Sequence, residues 1–466
     1  MSLSHVVHNS LMRVLTPERA RLLRLIKNRE SWDPDRIRTY QEERLRGIIR
    51  YCWDYVPFYR EHWQGHLADP RDVRAIADLA QLPPVTRQLF REHAREFVTT
   101  KASVKSTEAR SGGSTASPVI YRTTRHDDEF ASAQLYNGWT WAGWRMGEPF
   151  LVVGGESVGV GLGDKRNWRD WVINRWVSSG SNITLERVRT LVQSPPFSKA
   201  TLIYGYPNSI RELCECLATL RERPPRVRGV VSTAEVMLPE VRQRISEVLG
   251  GVPVLDQWGL GDGAQHACEG PDRNGLHVSF HRGILEIVDD ANQPITTLHQ
   301  SGYGLATSLT NLATPFVRYE TGDRIHWHSF APSPLGIAWP RIGQVEGRIG
   351  DVIHLSTGRS IPMPGLTLVM RWMEGLKHYQ FIQTGPDAVT VRLDRGPDFT
   401  LTENDAKLFL RRRIAEEVNW TVEWGPPELT QSRKLLVIRN DWLRRQGLAR
   451  PPQGALASGV AKDRPL

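Results

Sequence analysis

Short apolar runs alternate with amphipathic stretches between residues 150 and 249, and this alternation limits the possible folds more than any other feature of the sequence. Three runs, at residues 150–153, 201–205 and 229–233, end at or beside glycine or hydroxyl residues, which is typical of buried strands. Apolar residues recur at helical spacing in residues 209–221 and 239–249. Strands that alternate with helices predict a mostly parallel sheet with helices on both faces, and therefore an α/β fold.

The chain before this alternation has the periodicity of helices. Apolar and charged residues are spaced for helices at residues 17–27, 34–55, 72–82 and 87–97. Thr86 precedes the last of these stretches and is expected to cap its first turn.

The chain after residue 280 has a different pattern. Residues 283–289 and 304–309 predict strands of a more antiparallel, β-rich subdomain. A strand at 389–393, a helix at 403–418 and a strand at 435–438 then predict a small α+β domain.

These patterns predict three parts of the chain. Residues 1–347 would form a large N-terminal domain, with mixed but mostly parallel sheets flanked by helices plus the β-rich subdomain. Residues 348–449 would form a small, mobile α+β domain, and residues 450–466, rich in proline, glycine and alanine, a disordered tail. A chain of 466 residues is long enough for two or three domains.

Composition narrows the class of protein. The 60 basic residues are interleaved with 51 acidic ones, so the net charge of +9 does not by itself predict a nucleic-acid surface, and a small anionic molecule fits it equally well. No apolar segment approaches the ~20 residues needed to span a bilayer, and residues 1–13 do not read as an export signal. Four cysteines are too few for a disulfide framework and suit a reducing cytoplasm. We expect no membrane partner and no nucleic-acid partner.

The loop Ser111-Gly112-Gly113-Ser114-Thr115 combines glycines with hydroxyl residues just before an apolar run. Glycine lets the backbone approach an anion closely, and hydroxyl groups add hydrogen-bond donors, so the loop could bind phosphate. A solvent-exposed connection rich in small polar residues is the alternative. The spacing does not match a Walker loop.

Ten motifs in order along the chain resemble the adenylate-forming enzymes, and within them the phenylacetate–CoA ligase-like branch. The motifs are YVPFYR at 55–60, LPPVT at 82–86, the loop at 111–118, GYP at 205–207, STAE at 232–235, DQWGLGDG at 256–263, GLHV at 275–278, FVRYETGD at 316–323, GR at 347–348 and SRK at 432–434. The resemblance covers nearly the whole chain.

The resemblance implies that ATP and a carboxylic acid react to give an acyl-adenylate and pyrophosphate. The acyl group would then pass to a thiol, of CoA or a carrier protein, or to an amine. Aromatic residues in 136–144, 204–207 and 257–263 would line the pocket of a flat or apolar acid.

The resemblance also implies roles for particular residues. Asp323 would accept both ribose hydroxyls with help from Arg348, and Lys434 would neutralise charge at the α-phosphate. Asp262 would hold Mg²⁺ through water or not at all. The nucleotide would be bound by Ser111, Gly112, Gly113, Ser114, Thr115, Ala234, Glu235, Gln257, Trp258 and Gly259, with Trp258 stacked on adenine. Core packing for Trp258, a turn for Asp323 and solvated surface charges for Arg348 and Lys434 are the alternatives.

Five positions depart from the usual pattern of that family. Ala116 replaces glycine, Gly261 replaces threonine, Asp262 replaces glutamate, Gly350 replaces the hinge aspartate, and Arg433 replaces glycine. A hydroxyl donor for phosphate is lost at position 261. A catalytically impaired nucleotide-binding scaffold is therefore a second hypothesis, and nucleic-acid binding, which rests on charge alone, is a third.

A zinc site is a further hypothesis. His266, Cys268 and His277 are close in sequence, and Cys214 and Cys216 form a pair. The spacing fits no closed zinc site, so buried thiols and ordinary histidines are the favoured interpretation.

Overall fold

The computed structural model describes residues 3–110, 119–155, 158–160, 166–180, 183–194, 197, 199–261, 263–345, 347–348, 352–356, 360–362, 366, 369–370, 372–428 and 436–445. Contacts divide the chain into two compact units. The large unit comprises Met1–Thr321 and Ile325–Val345, and the small unit comprises Gly322–Arg324 and Glu346–Leu466. The domain limits and the mobile small domain expected from the sequence stay predictions.

The helices of the large unit cluster before and within the predicted βα alternation. They are α1 (Leu3–Leu15), α2 (Pro17–Asn28), α3 (Pro34–Tyr55), α4 (Pro57–His62), α5 (Arg87–Glu92), α6 (Arg125–Trp141), α7 (Trp168–Val172), α8 (Leu185–Gln193), α9 (Pro207–Leu220) and α10 (Pro239–Val248). No helix in the described part of the chain is long and apolar enough to cross a membrane.

The strands of the large unit form one hairpin and one large sheet. The hairpin is β1 (Thr107–Arg110) with β2 (Ile120–Thr123). The sheet contains β3 (Phe150–Gly154), β4 (Arg175–Ser179), β5 (Leu202–Gly205), β6 (Gly229–Thr233), β7 (Val254–Leu260), β8 (Gln265–Glu269), β9 (Leu276–Val278), β10 (Gly283–Val288), β11 (Ser301–Ser308), β12 (Tyr319–Ser329) and β13 (Arg341–Ile342). Its order is β10-β11-β12-β13-β9-β8-β7-β6-β5-β3-β4.

Strands β3 to β7 pair in parallel, whereas β7, β8 and β9 pair antiparallel, as do β10 and β11. Every residue of β3, β5 and β6 is buried. Burial on both faces explains why these strands appear as continuous apolar runs. The predicted α/β fold class, with its β-rich subdomain, is confirmed.

Two helices predicted in the large unit differ from the structure. Residues 72–82 contain the 3₁₀ turns Pro70–Asp72 and Ile76–Gln81, because the Asp78 carboxylate accepts hydrogen bonds from the backbone N–H groups of Arg74 and Ala75 (both 2.8 Å) and holds that stretch extended. Thr86 does cap α5 by accepting from Leu89 N (3.0 Å), but α5 ends at Glu92.

The described residues of the small unit form two antiparallel strand pairs and a four-stranded sheet, and one of the pairs uses Asp323 and Arg324, which belong to this unit. Its elements are β14 (Gly347–Arg348), β15 (Val352–His354), β16 (Ser360–Pro362), β17 (Leu376–Gly385), β18 (Ala388–Arg395), α11 (Glu403–Arg413), β19 (Asn419–Trp424), β20 (Ile438–Asn440) and α12 (Asp441–Arg445). β14 pairs with β12 at Asp323 and Arg324, β15 pairs with β16, and the sheet order is β19-β18-β17-β20. α11 is shorter than the predicted helix at 403–418 because the chain turns into β19, where Trp420 Nε1 donates to the carbonyl of Ala415 (2.9 Å).

Candidate functional site: one edge of the parallel sheet

The C-terminal ends of the parallel strands meet at one edge of the large sheet. In the parallel register, Gly205 of β5 pairs with Ser232 of β6, and Thr233 at the end of β6 pairs with Gln257 of β7. This register brings the GYP, STAE and DQWG segments side by side, although they are far apart in the sequence. Ligands of open α/β sheets bind at such edges.

Ala234 and Glu235 turn the chain away from the end of β6. Ala234 is exposed and has a φ of 72°, a left-handed conformation that is uncommon for a residue with a Cβ atom. The Glu235 carboxylate accepts hydrogen bonds from the backbone N and side-chain Nδ2 of Asn208 in the first turn of α9 (3.4 and 2.9 Å). Glu235 therefore joins the end of β6 to the start of α9.

Gln257 is a buried amide at the same edge. Its Nε2 lies 3.4 Å from the hydroxyl of Tyr204, and burial raises the pKa of Tyr204 to about 12. Its Oε1 is buried and has no hydrogen-bond partner within the described residues. A buried acceptor without a donor is costly, so this atom is suited to a ligand N–H group.

A charged cluster lies directly behind this edge. Arg242 donates to both oxygens of Glu269 (2.6 and 3.1 Å), and Glu269 Oε2 also accepts from the backbone N of Asp256 (2.7 Å). Asp256 accepts from Ser232 Oγ (2.9 Å). Burial, and to a smaller extent the charge of Glu269, raise the pKa of Asp256 to about 7.

Trp258 packs in the interior. It is 8% exposed and belongs to a cluster of apolar side chains that includes Leu285, Ile325 and Trp327. Gly259, the next residue, is exposed. Stacking of Trp258 on adenine stays a prediction.

Asp323 lies within β12, is 6% exposed, and pairs in register with Arg348 of β14. The turn that the sequence offered as an alternative for Asp323 is therefore wrong. The glycine before it, Gly322, has a φ of 80°, so the backbone bends just before Asp323 while the strand continues.

Three of the ten motifs, those at 55–60, 82–86 and 316–323, are connected by hydrogen bonds. The Tyr59 hydroxyl donates to the carbonyl of Pro315 (3.0 Å) and accepts from the backbone N of Val317 (2.8 Å). Arg318 donates to the carbonyl of Leu82 (2.6 Å), and its own carbonyl accepts from Val85 N (2.9 Å). The motifs at 55–60, 82–86 and 316–319 thus stabilise the scaffold around β12.

Comparisons with known proteins support the same family. No protein-family model matches the chain. Phenylacetate–coenzyme A ligases of Thermus thermophilus and Pseudomonas putida are each 25% identical, over 76% and 71% of this chain and 79% and 74% of theirs. A solved 2-hydroxyisobutyryl-CoA ligase in complex with an acyl-adenylate has a TM-score of 0.71 at 18% identity, over 92% of this chain and 94% of that one.

The predicted resemblance to the phenylacetate–CoA ligase-like adenylate-forming enzymes is confirmed. Several residues to which this resemblance assigns roles lie outside the described residues or are described only in their backbone. They are Ser111, Gly112, Gly113, Ser114, Thr115, Ala116, Asp262, Gly350, Arg433 and Lys434, together with the side chain of Arg348. Their roles stay predictions.

The aromatic residues expected at the acid pocket of an adenylate-forming enzyme are mostly core. Tyr136, Trp139 and Trp144 are buried and contact one another, with ring centroids 4.9 to 5.4 Å apart. Trp139 also contacts Tyr204 at 4.9 Å. Packing of these aromatic rings against one another is enough to explain their burial. Their contact with an acid substrate therefore stays a prediction.

Of the residues considered for zinc, His266, Cys268 and His277 line one small pocket, and Cys268 and His277 pair in register across β8 and β9. Cys214 is buried, whereas Cys216 is only partly buried. The four cysteines are free. Burial lowers the pKa of His266 to about 3 and of His277 to about 4, so both rings are neutral at pH 7. Among the described residues, no group of three side chains could hold a metal ion.

Proposed function

We propose that this protein uses ATP to convert a carboxylic acid into an acyl-adenylate and then transfers the acyl group to the thiol of coenzyme A. The observation that carries the proposal is the parallel register that pairs Thr233, the residue before Ala234, with Gln257 at the C-terminal edge of the sheet. The buried, unpartnered Oε1 of Gln257 supports it, because a purine amino group would supply the missing donor.

The chemistry requires positive charge and hydrogen-bond donors around phosphorus. A carboxylate oxygen attacks the α-phosphorus, the bond to the bridging oxygen breaks, and pyrophosphate leaves with the bonding electrons. The sulfur of CoA then attacks the acyl carbon, AMP leaves, and the thiol proton passes to solvent. Positioned donors that offset the developing charge are the main catalytic resource in such transfers.

Within this proposal, the hydroxyls of Ser111, Ser114 and Thr115 hold phosphate oxygens, and Lys434 offsets charge at the α-phosphate. Asp323 accepts the ribose hydroxyls, since a carboxylate is a pure acceptor, and Arg348 assists it. Asp262 would be a carboxylate ligand of Mg²⁺. A single carboxylate combined with substrate phosphates and water is a donor set that suits Mg²⁺, which offsets phosphate charge when bound.

Two finer points belong to the proposal. A carrier-protein thiol or an amine could replace CoA as the acceptor, and the products of the reaction distinguish them. A cytoplasmic location is proposed because the four free thiols suit a reducing compartment.

Acid-dependent exchange of labelled pyrophosphate into ATP tests the first step. A panel of aromatic and aliphatic acids should include at least one that supports exchange, and Lys434→Ala should abolish most of it. Lys407→Ala is the matched control, since Lys407 lies on α11 and, among the described residues, forms an ion pair only with the half-exposed Glu403 at 2.6 Å. ATP binding without exchange for any acid would favour the scaffold hypothesis instead. Mass spectrometry of reactions supplied with CoA then identifies the acyl thioester.

A further inference from the structure

The strands of the hairpin β1–β2 flank, in the sequence, the residues predicted to bind phosphate. Arg110 pairs with Ile120 and Ala109 with Tyr121. Tyr121 therefore follows the loop at a position that the strand pairing fixes.

The ring of Tyr121 is held in the core of the large unit. Tyr121 is 8% exposed and belongs to the apolar cluster formed by α3, α4, α5 and the start of β12. It contacts Phe316 edge-on, with the ring centroids 6.2 Å apart. A ring packed in this way presents its hydroxyl in one direction only, which is the preorganisation that transition-state stabilisation needs.

The Tyr121 hydroxyl lies close to the position that the Cβ atom of any other residue at 261 would occupy. A Cβ atom built on Gly261 would be 2.9 Å from the Tyr121 oxygen, which is the only heavy atom within 4 Å among the described residues. Gly261 is exposed, immediately follows β7, and does not have the positive φ that would itself require glycine. The glycine is therefore explained by the tyrosine hydroxyl and not by the backbone.

We propose that the Tyr121 hydroxyl donates a hydrogen bond to a phosphate oxygen of the nucleotide at this edge of the sheet, and so supplies the donor that the chain lacks at position 261. The proposal rests on the proposed function, because it assumes a nucleotide at the C-terminal ends of β6 and β7. Three observations carry it: the hydroxyl is beside Gly261, its strand directly follows the glycine- and hydroxyl-rich loop, and its ring is fixed by packing. A neutral donor to a charged phosphate forms one of the stronger hydrogen bonds in proteins.

Tyr121→Phe tests the proposal, because it removes the hydroxyl and keeps the packed ring. We expect the affinity for ATP and for AMP, measured by calorimetry, to fall about 10-fold or more, and the affinity for adenosine, which has no phosphate, to stay within twofold. Tyr55→Phe, which removes a hydroxyl at the end of α3, is the matched control and should change neither. Equal losses for ATP and adenosine, or no loss for either, would overturn the proposal.

A swap of the two side chains gives an independent test. Gly261→Thr alone should lower pyrophosphate exchange, since its Cβ would press on the Tyr121 hydroxyl. Tyr121→Phe combined with Gly261→Thr should recover at least fivefold over Tyr121→Phe alone, because threonine restores a hydroxyl where phenylalanine has left space. A double variant no better than the product of the single effects would contradict the proposal. The binding test remains decisive if the wild-type protein shows no exchange, so failure of the proposed function is distinguishable from failure of this inference.

Discussion

The large unit buries charged side chains as well as amides, whereas the least exposed polar side chains described in the small unit are amides. In the large unit, Arg282 and Asp127 form an ion pair at 2.6 Å with side-chain exposures of 4% and 3%. In the small unit, the least exposed polar side chains among the described residues are the amides Gln380, Gln383 and Asn440, each at 1% or less. Charged groups change protonation with pH, and a buried charge without a partner is costly. Amides do not titrate, and a buried amide without a partner costs less than a buried charge.

The amides of the small unit form a connected network. Gln383 donates to the carbonyls of His354 (2.5 Å) and Gly385 (3.0 Å), and its Oε1 accepts from His354 N (2.9 Å) and Asn440 Nδ2 (2.8 Å). Such fully satisfied networks specify a unique core. Stability of the large unit should therefore depend on pH and on charge pairing, and that of the small unit on amide hydrogen bonds.

Loss of the buried arginine should have the largest effect. Arg282→Met leaves Asp127 buried without its guanidinium partner, so we expect the free energy of unfolding to fall by about 3 to 5 kcal/mol. Urea unfolding followed by tryptophan fluorescence measures the change. Asp127→Asn added to Arg282→Met should recover part of the loss, and Lys407→Met, which breaks the half-exposed pair on α11, should cost less than about 0.5 kcal/mol. A loss below about 1 kcal/mol for Arg282→Met would remove the distinction between the units.

Loss of a buried amide should have a smaller effect that does not depend on pH. Gln380 donates to the carbonyls of Glu428 and Leu436 (both 3.0 Å) and accepts from Glu428 N (3.1 Å), so it joins the two ends of the segment that contains Lys434. Gln380→Leu leaves these backbone groups without the amide, and we expect a loss of about 1 to 3 kcal/mol. If Lys434 acts as proposed, pyrophosphate exchange should fall as well.

Gln243→Leu provides the control for Gln380→Leu. Gln243 is on α10 and bonds Glu247 on an exposed surface (2.8 Å), so its loss should change stability by less than about 0.5 kcal/mol. Equal effects of the two substitutions, or a loss for Gln380→Leu that varies with pH between 5 and 8, would contradict the role of the buried amide.

The sequence predicted what local patterns encode. The strands β3, β5 and β6 were predictable because burial on both faces produces apolar runs, and the Thr86 cap because its chemistry is local. β19 was missed because Trp420 and Val422 alternate with exposed polar residues over only six positions, next to a charged helix.

The relation between Tyr121 and Gly261 is not encoded locally. The two residues are far apart in the chain and come together only when β7 of the sheet packs beside the hairpin. The signal that was available was the replacement of threonine by glycine at position 261, in a motif that still resembles that of the family. The sequence could show that a hydroxyl was missing there but not which side chain occupied its space.

The smallest predicted effect concerns the side chain of Asp256, which lies behind the candidate site. It sharpens the comparison between the two units. Because the pKa of Asp256 is raised to about 7 from its ordinary value of 3.8, the folded protein keeps a proton that the unfolded chain releases between these values. Rising pH therefore favours unfolding through Asp256 up to about pH 7, and the penalty is constant above that pH. Asp256→Asn removes the penalty, so the stability of the variant relative to wild type should increase between pH 5 and pH 8, measured as the difference in the free energy of unfolding.

Asp405 in the small unit should behave in the opposite direction. Its pKa is lowered, first by the hydrogen bond from the Thr402 side chain, so its contribution to stability is present above its ordinary pKa and is lost as the pH falls through the lowered value. Unfolding of Asp405→Asn compared with wild type at pH 3 and at pH 7 should therefore show a larger deficit at pH 7 than at pH 3. Parallel pH profiles for wild type and Asp256→Asn would mean that neither burial nor the charge of Glu269 raises the pKa of Asp256. The stability of the large unit would then be as insensitive to pH near neutrality as that of the small unit.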